Sequence, residues 1–312
     1  MSFSFDVKED ILKVNSDASV HLIELEASLR LAAEIVISNP MKLIFRNTNL
    51  HILRYFVSLV KKFYTATKYE IASITQTKLN KKTIYSCTIT ENADVIIKDL
   101  ELLREYSNLK EEIILNPMAT IAYLRGAFLA KGSVNDPKTS NYHLEISTDK
   151  DSEALFLQKA MNQYNLNARI AKRRSSLIVY IKEKDCIVEF LRRLGANVSM
   201  NAFENEIIKR ELSANINRIL NIEVANQQKT NRSAKDQLKY IKYLEYNYPL
   251  EKLDSKLLLV MKVRKENPEA SLNEMIKIIN EAYEESITKS GLNHRLRKIK
   301  EIAIDYELRR SE

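Results

Sequence analysis

From Lys289 to Lys300 the chain reads "KSGLNHRLRKIK", with Lys289, Arg295, Arg297, Lys298 and Lys300 and no acid among them. Ser290, Asn293 and His294 add neutral hydrogen-bonding groups to the same stretch. These residue types suit an anionic polymer. Cations hold phosphates and fix orientation, while Asn pairs with adenine and Arg with guanine at base edges. A second group lies further back, at 229–242. Lys229, Arg232, Lys235, Lys239 and Lys242 step by 3, 3, 4 and 3, with Asp236 the one acid among them. On a helix that spacing forms a cationic stripe able to follow a phosphate backbone. It also describes a solvent-facing linker helix.

These side chains need elements to carry them. Leu292, Leu296 and Ile299 recur at helical spacing and form an apolar back to the 289–300 segment. Thr288 or Ser290 can cap that helix, with Gly291 near its start. Upstream, Ser271 and Glu274 in "SLNE" form a capping box that starts another helix. A capped helix followed by one with an apolar back and a donor-rich front is the make-up of a helix-turn-helix. Ser290, Asn293, His294 and Arg297 are the candidates for base reading. Lys289, Arg295, Lys298 and Lys300, with Lys229, Arg232 and Lys235, are candidates for phosphate contact. A basic helix standing alone is more often just a solvated face; the capped neighbour and the missing acids argue against that here. Residues 201–247 read as a long helical stretch. Its asparagines at 215, 217, 226 and 231 are dense for a mediocre helix former and suggest no role.

The first two hundred residues contain a repeat. Helix 20–33, strand 41–48, helix 50–64, strands 68–76 and 82–90 joined by a Lys/Asn turn, and helix 93–106 follow one another. The series returns as helix 119–130, strand 142–148, helix 152–165, strands 168–173 and 176–182, and helix 183–194. Leu25 and Leu124 are 99 residues apart. The reading is two α-β-α-β-β-α units around a pseudo-two-fold, each burying one sheet face. The chain has four glycines, and two of them, Gly126 and Gly132, fall in "YLRGAFLAKGSVNDP" (123–137). Gly126 and Ala130 share a helical face, beside Ala127, so two backbones can approach closely there. Leu25–Ala33 and Leu124–Gly132 are expected to pair at the two-fold, and Gly132 to end its helix in a left-handed conformation.

"LRGAFLAKG" (124–132) resembles a degenerate LAGLIDADG helix, the paired-helix motif of homing endonucleases. The resemblance implies a metal-binding acid at the eighth position. Here Lys131 stands there in the second copy and Ala32 in the first. Neither offers the hard oxygen ligands that Mg²⁺ needs. Nearly end to end, the chain is similar to the bacterial WhiA proteins, regulators of sporulation and cell division. The similarity is carried by "FSFDVKED", "AYLRGAFLAKGSVNDP", "YHLEI", "LRRLGA", "NRILNIEVANQQKT", "ENPEASLNEM" and "TKSGLNHRLRKIKEIA". One departure is "INEAYEESI" (279–287), longer than the family's turn. The implied fold class is α+β: a duplicated LAGLIDADG homing-endonuclease-like domain followed by an all-α helix-turn-helix domain. Its parts are a first half (1–106), a second half (107–196), a helical linker (197–250) and a DNA-binding domain (251–312). The strand end "KRR" (172–174) falls in the saddle such a sheet lays on DNA, though edge-strand protection explains it equally.

Bulk properties narrow the rest. A net charge of +8 is weak evidence for a polyanion by itself. The wealth of Lys, Asn and Ile, with no Trp, looks like an AT-rich genome. Cys87 and Cys186 are isolated, which excludes a disulfide framework and a cysteine zinc site and suits a reducing compartment. His21, His51 and His143 lack ligand spacing. Glu34 lies two residues past the vacated acid position and is rotated off its face, and Asp136 reads as a turn residue before Pro137. No signal pattern and no membrane-length apolar run is present, so a soluble cytoplasmic protein with no cofactor is expected. The leading expectation is a sequence-specific binder of double-stranded DNA acting in transcription and in division or chromosome segregation. A protein-docking adaptor and a metal-dependent endonuclease are the competing readings.

Overall fold

The chain begins with a cap. The Ser2 hydroxyl accepts from the Phe5 N–H at 3.3 Å and opens α1 (Phe3–Ile11), which turns Val7 and Ile11 inward. Then α2 (His21–Ala32) passes without a loop into β1 (Ala33–Val36). β2 (Lys42–Asn47) returns antiparallel, Phe45 opposite Ala33. The Asn49 side chain accepts from the His51 N–H at 2.8 Å and starts α3 (Leu50–Phe63), whose Ile52, Leu53, Phe56, Val57 and Val60 lie on its buried face. β3 (Lys68–Gln76) and β4 (Lys82–Glu91) complete an antiparallel sheet of order β1-β2-β4-β3, followed by α4 (Ala93–Asp99).

The series repeats after α5 (Glu111–Leu115). α6 (Pro117–Lys131) begins with Asn116 accepting from Met118 and Ala119, and with proline at its first position. Next come β5 (Gly132–Val134), β6 (Leu144–Thr148), α7 (Asp151–Asn162), β7 (Arg169–Arg173), β8 (Ser176–Ile181) and α8 (Lys184–Leu194), with sheet order β5-β6-β8-β7. α9 runs over Asn197–Asn247. α10 (Ser255–Glu266), α11 (Leu272–Ala282) and α12 (Lys289–Ser311) follow. This is a computed structural model, and it describes residues 2–76, 82–103, 111–139, 141–283 and 285–311. It divides into two units, Met1–Glu211 and Leu212–Glu312, the division falling within α9.

In the first unit one continuous core serves both sheets, and α2 and α6 pair at its centre. α6 is apolar nearly all round and is buried from Ala119 to Ala130 but for the half-buried Ile121, as such a helix must be. Gly126 fixes the spacing of the pair: a Cβ there would lie 2.2 Å from the Glu24 carbonyl oxygen. The Ser28 hydroxyl donates to the Gly126 carbonyl at 3.1 Å across the same seam.

Several expectations need correction. Each copy has a further short strand, β1 or β5, directly after its central helix, so the unit is α-β-β-α-β-β-α. Gly132 is extended, at φ −79° and ψ 152°, and opens β5 opposite Ile146. It must be small because a Cβ would lie 2.2 Å from the Phe128 ring. The left-handed glycine cap belongs to Gly195, which ends α8 at φ 82°. α4 stops at Asp99, short of the expected 106. The buried Arg30 Nη2 donates to the Leu100 and Glu101 carbonyls at 3.0 and 2.9 Å, occupying acceptors that follow the helix end. The Lys/Asn turn between β3 and β4 and the expected boundary at 106/107 lie outside the described residues.

The second unit has its own core, in which Ile241 and Leu244 of α9 meet Val260, Met261 and Val263 of α10, Met275 and Ile279 of α11, and Leu292, Leu296 and Ile299 of α12. The capping box of α11 is present. The Glu274 N–H donates to Ser271 Oγ at 3.3 Å, and the Ser271 N–H donates to Glu274 Oε2 at 2.6 Å.

Candidate nucleic-acid interface

α12 is positioned from both sides of its start. Thr288 supplies the cap, its hydroxyl oxygen accepting from the Gly291 N–H at 3.2 Å. The long turn before it is tied down by the Ile287 N–H, which donates to Asn280 Oδ1 at 2.8 Å, and by burial of Ile287. Leu292, Leu296, Ile299 and Ala303 are buried and seat the helix on α10 and α11. The opposite side leaves Lys289, Ser290, Asn293, His294, Arg297, Lys298 and Lys300 exposed. The first acid on α12 is Glu301, 3.9 Å from Lys298.

The front is not uniform. Successive residues on a helix turn by about 100°, so Ser290, His294, Arg297 and Lys298 stand opposite the buried stripe. Asn293, Arg297 and Lys300 border a cleft of about 560 Å³ shared with Gln237 and Tyr240 of α9. The Lys300 ammonium lies 5.6 Å from the Tyr240 ring centroid. Arg295 points elsewhere. It is paired with Glu285 at 2.5 Å and its side chain is largely covered, which sets it apart from the other proposed phosphate contacts. The hydrogen bond from Arg295, chiefly, holds the Glu285 carboxyl below its ordinary value.

On α9, Lys229, Arg232, Lys235, Lys239 and Lys242 are all exposed, while Ala234, Ile241 and Leu244 face the core. Pattern reading missed Arg264. It is 1% exposed, beneath the turn from α10 to α11, where Nη1 donates to the Ala270 carbonyl at 2.6 Å and to that of Asn267 at 3.3 Å. Burial lowers its pKa. A signal for it existed: Leu257, Val260, Met261 and Arg264 share one helix face, so an arginine occupies a core position.

The first unit holds the two positions at which the LAGLIDADG resemblance implies an acid. Ala32 ends α2 half-buried and Lys131 ends α6 exposed. Among the described residues no cluster of His, Cys, Asp and Glu gathers to hold a metal. The donor set does not fit a divalent ion, since a methyl group and an ammonium stand where oxygen ligands would be needed. Glu34, nearby on β1, is paired with Arg46. Buried carboxylates lie deeper in this unit. Glu24 on α2 accepts from Arg125 Nη1 of α6 at 2.7 Å and from the Tyr55 hydroxyl. Arg30 of α2 lies 3.9 Å from Glu153 of α7, and Glu153 accepts from Tyr123 at 2.9 Å. Both charge pairs cross between the two copies. Burial, with the Glu24 charge and hydrogen bond next, pushes the Tyr55 phenol far above its ordinary value. Of "KRR", Lys172 and Arg173 lie on the edge strand β7, and Arg173 pairs with Glu145 at 2.9 Å. Arg174 takes a left-handed turn conformation at φ 55°.

Three family models match the chain in series: the WhiA N-terminal LAGLIDADG-like domain at 18–103, the WhiA LAGLIDADG-like domain at 120–213 and the WhiA C-terminal HTH domain at 216–303. A Staphylococcus epidermidis protein named "Probable cell division protein WhiA" is 36% identical over 307 residues, covering 97% of this chain and 96% of that one. A protein of the same name from Lactiplantibacillus plantarum is 35% identical, covering 97% and 98%. The crystal structure of full-length DUF199/WhiA from Thermatoga maritima is similar in fold, with a TM-score of 0.61 at 24% identity over 98% of this chain and 99% of that one.

Proposed function

The chain belongs to the WhiA family, and from that premise we propose that it is a sequence-specific DNA-binding protein acting in cell division and chromosome segregation. The observation that carries this is the surface of α12, donor-rich and free of acid up to Glu301 over a buried apolar back. Ser290, Asn293, His294 and Arg297 are assigned to base edges, and Lys289, Lys298 and Lys300 to phosphates. Lys229, Arg232 and Lys235 of α9 extend the phosphate contact. Arg295 contributes through its hold on Glu285, which fixes the turn ahead of the reading helix. The helix-turn-helix family match, and relatives named for cell division, support the same reading.

The paired-helix domain is assigned a scaffolding role without catalysis, because the two positions that would hold a metal carry Ala32 and Lys131. It is free to add non-specific DNA contact or to dock another regulatory or division protein. A nucleoid-associated protein in the cytoplasm fits this reading, and no helix among the described residues is long and apolar enough to cross a membrane. The test is genome-wide mapping of bound sites for the intact protein and for Arg297→Ala. Discrete sites that vanish in the variant support base reading by α12. Unchanged sites place recognition elsewhere. Strand scission in the presence of Mg²⁺ would restore the endonuclease reading.

A further inference from the structure

Arg264 poses a problem that the DNA-reading surface does not answer. A buried charge is normally paired, yet among the described residues no carboxylate lies within ion-pair distance of this guanidinium. Two backbone carbonyls occupy Nη1, and Nε has no hydrogen-bond partner at all. The Gln237 amide beside it likewise has a buried end without a partner. Above them opens a cleft of about 510 Å³. Lys229 and Thr230 of α9, Ser271 and Asn273 at the start of α11, and Lys289 at the start of α12 border it, and no acid does. The starts of two helices therefore border a site lined by three cations, the α11 start already closed by its own Ser271–Glu274 capping box.

We propose that this cleft is a phosphate site, with Arg264 as the fixed cation at its floor and Lys229 and Lys289 as mobile cations at its rim. The missing counter-charge is the ligand. Asn273 and Thr230 supply neutral polar contacts, and the amide of Gln237 can turn its NH₂ toward an oxyanion. The site rests on the DNA-binding reading in one respect only. Its place at the start of α12 makes a backbone phosphodiester the natural occupant, and a free phosphate group offers the same chemistry.

Asn273→Asp tests this on the full-length protein. Residue 273 is exposed in the first turn of α11, where a carboxylate favours the helix. The variant therefore keeps the fold while placing a negative charge in the cleft. Duplex binding is read by fluorescence anisotropy across a salt series, beside Arg297→Ala. The expected result is an affinity loss of about three- to tenfold, equal on specific and unrelated duplexes, with a salt slope lower by about 1. Arg297→Ala instead removes discrimination between sequences. In a second arm, inorganic phosphate is titrated without DNA against chloride at matched ionic strength. A rise in melting temperature that Asn273→Asp abolishes shows that the cleft also takes free phosphate. A change in either arm supports the site, and the two arms distinguish the sources. Wild-type behaviour of Asn273→Asp in both arms, while Arg297→Ala still loses discrimination, overturns the site and leaves the DNA reading standing. Failure of wild-type protein to bind any duplex sinks the DNA reading alone, and the phosphate arm then decides the site. Should Asn273→Asp not fold, Lys289→Gln at the exposed start of α12 replaces it in the phosphate arm, where loss of the melting-temperature rise supports the site and its persistence overturns it.

Discussion

Arg125 of α6 and Glu24 of α2 meet at 2.7 Å between the two halves of the paired-helix domain, Glu24 wholly buried and Arg125 nearly so. Arg125 also donates from Nε to the Leu194 carbonyl at 3.2 Å, so one side chain joins both central helices and the end of α8. Replacing only Arg125 strands a buried carboxylate. Arg125→Met is expected to lower unfolding free energy by about 3–5 kcal/mol, measured by urea denaturation. Glu24→Gln together with Arg125→Met is expected to lose less than Arg125→Met alone, because no unpaired charge remains.

Gly126→Ala tests the seam itself. A methyl group 2.2 Å from the Glu24 carbonyl oxygen meets backbone, which cannot rotate away. The expected destabilisation is about 3 kcal/mol, the upper end of ordinary overpacking. A neutral result by thermal melting would show that the helices part at little cost.

The paired-helix seam is legible in the sequence, for a physical reason. Small residues four apart in an otherwise bulky helix have few uses besides close approach, and the 99-residue offset supplied the partner. The capping box at Ser271 and the stripe of Leu292, Leu296 and Ile299 were legible because local hydrogen bonding and helical period decide them. β1 and β5 were not, since strands of 4 and 3 residues leaving a helix without a turn show no alternation. Gly132 was misread because a glycine at a helix end usually marks positive φ, whereas here the Phe128 ring demands the missing side chain. The Arg295–Glu285 pair and the burial of Arg264 depend on neighbours brought in by tertiary packing, which a pattern of charges along the chain does not reveal.

The Arg295–Glu285 pair makes a pH prediction. The Glu285 carboxyl lies below its ordinary value of 4.5 in the folded protein, through the hydrogen bond from Arg295 first. A depressed carboxyl contributes stability that is fully present above its unfolded pKa and is lost as pH falls through the folded value. Protection of α12 amides from hydrogen exchange is therefore expected to decline as pH drops below about 4.5. Glu285→Gln is expected to flatten that decline. Glu274, held low by the Ser271 N–H, acts in the same direction, so a residual slope remains.

Thiol chemistry separates the two cysteines. Burial pushes Cys87 up to about 12, while Cys186 is part-exposed and raised by burial and then by the Glu183 charge. With a disulfide reagent at pH 8, one thiol is expected to react slowly in the native protein and the second only on unfolding. A raised thiol pKa stabilises the fold below the unfolded value and is lost as pH climbs through the folded one, so Cys87 contributes to alkaline unfolding between about 9 and 12. Cys87→Ser is the control that identifies the protected thiol.

Each central helix hands the chain directly to a strand, so Ala32 and Lys131 occupy a corner whose path is set by what precedes and follows it. Exchanging either side chain leaves that path alone. The frame is thus indifferent to the side chain at that corner, and methyl, ammonium or carboxylate would each follow the same backbone path.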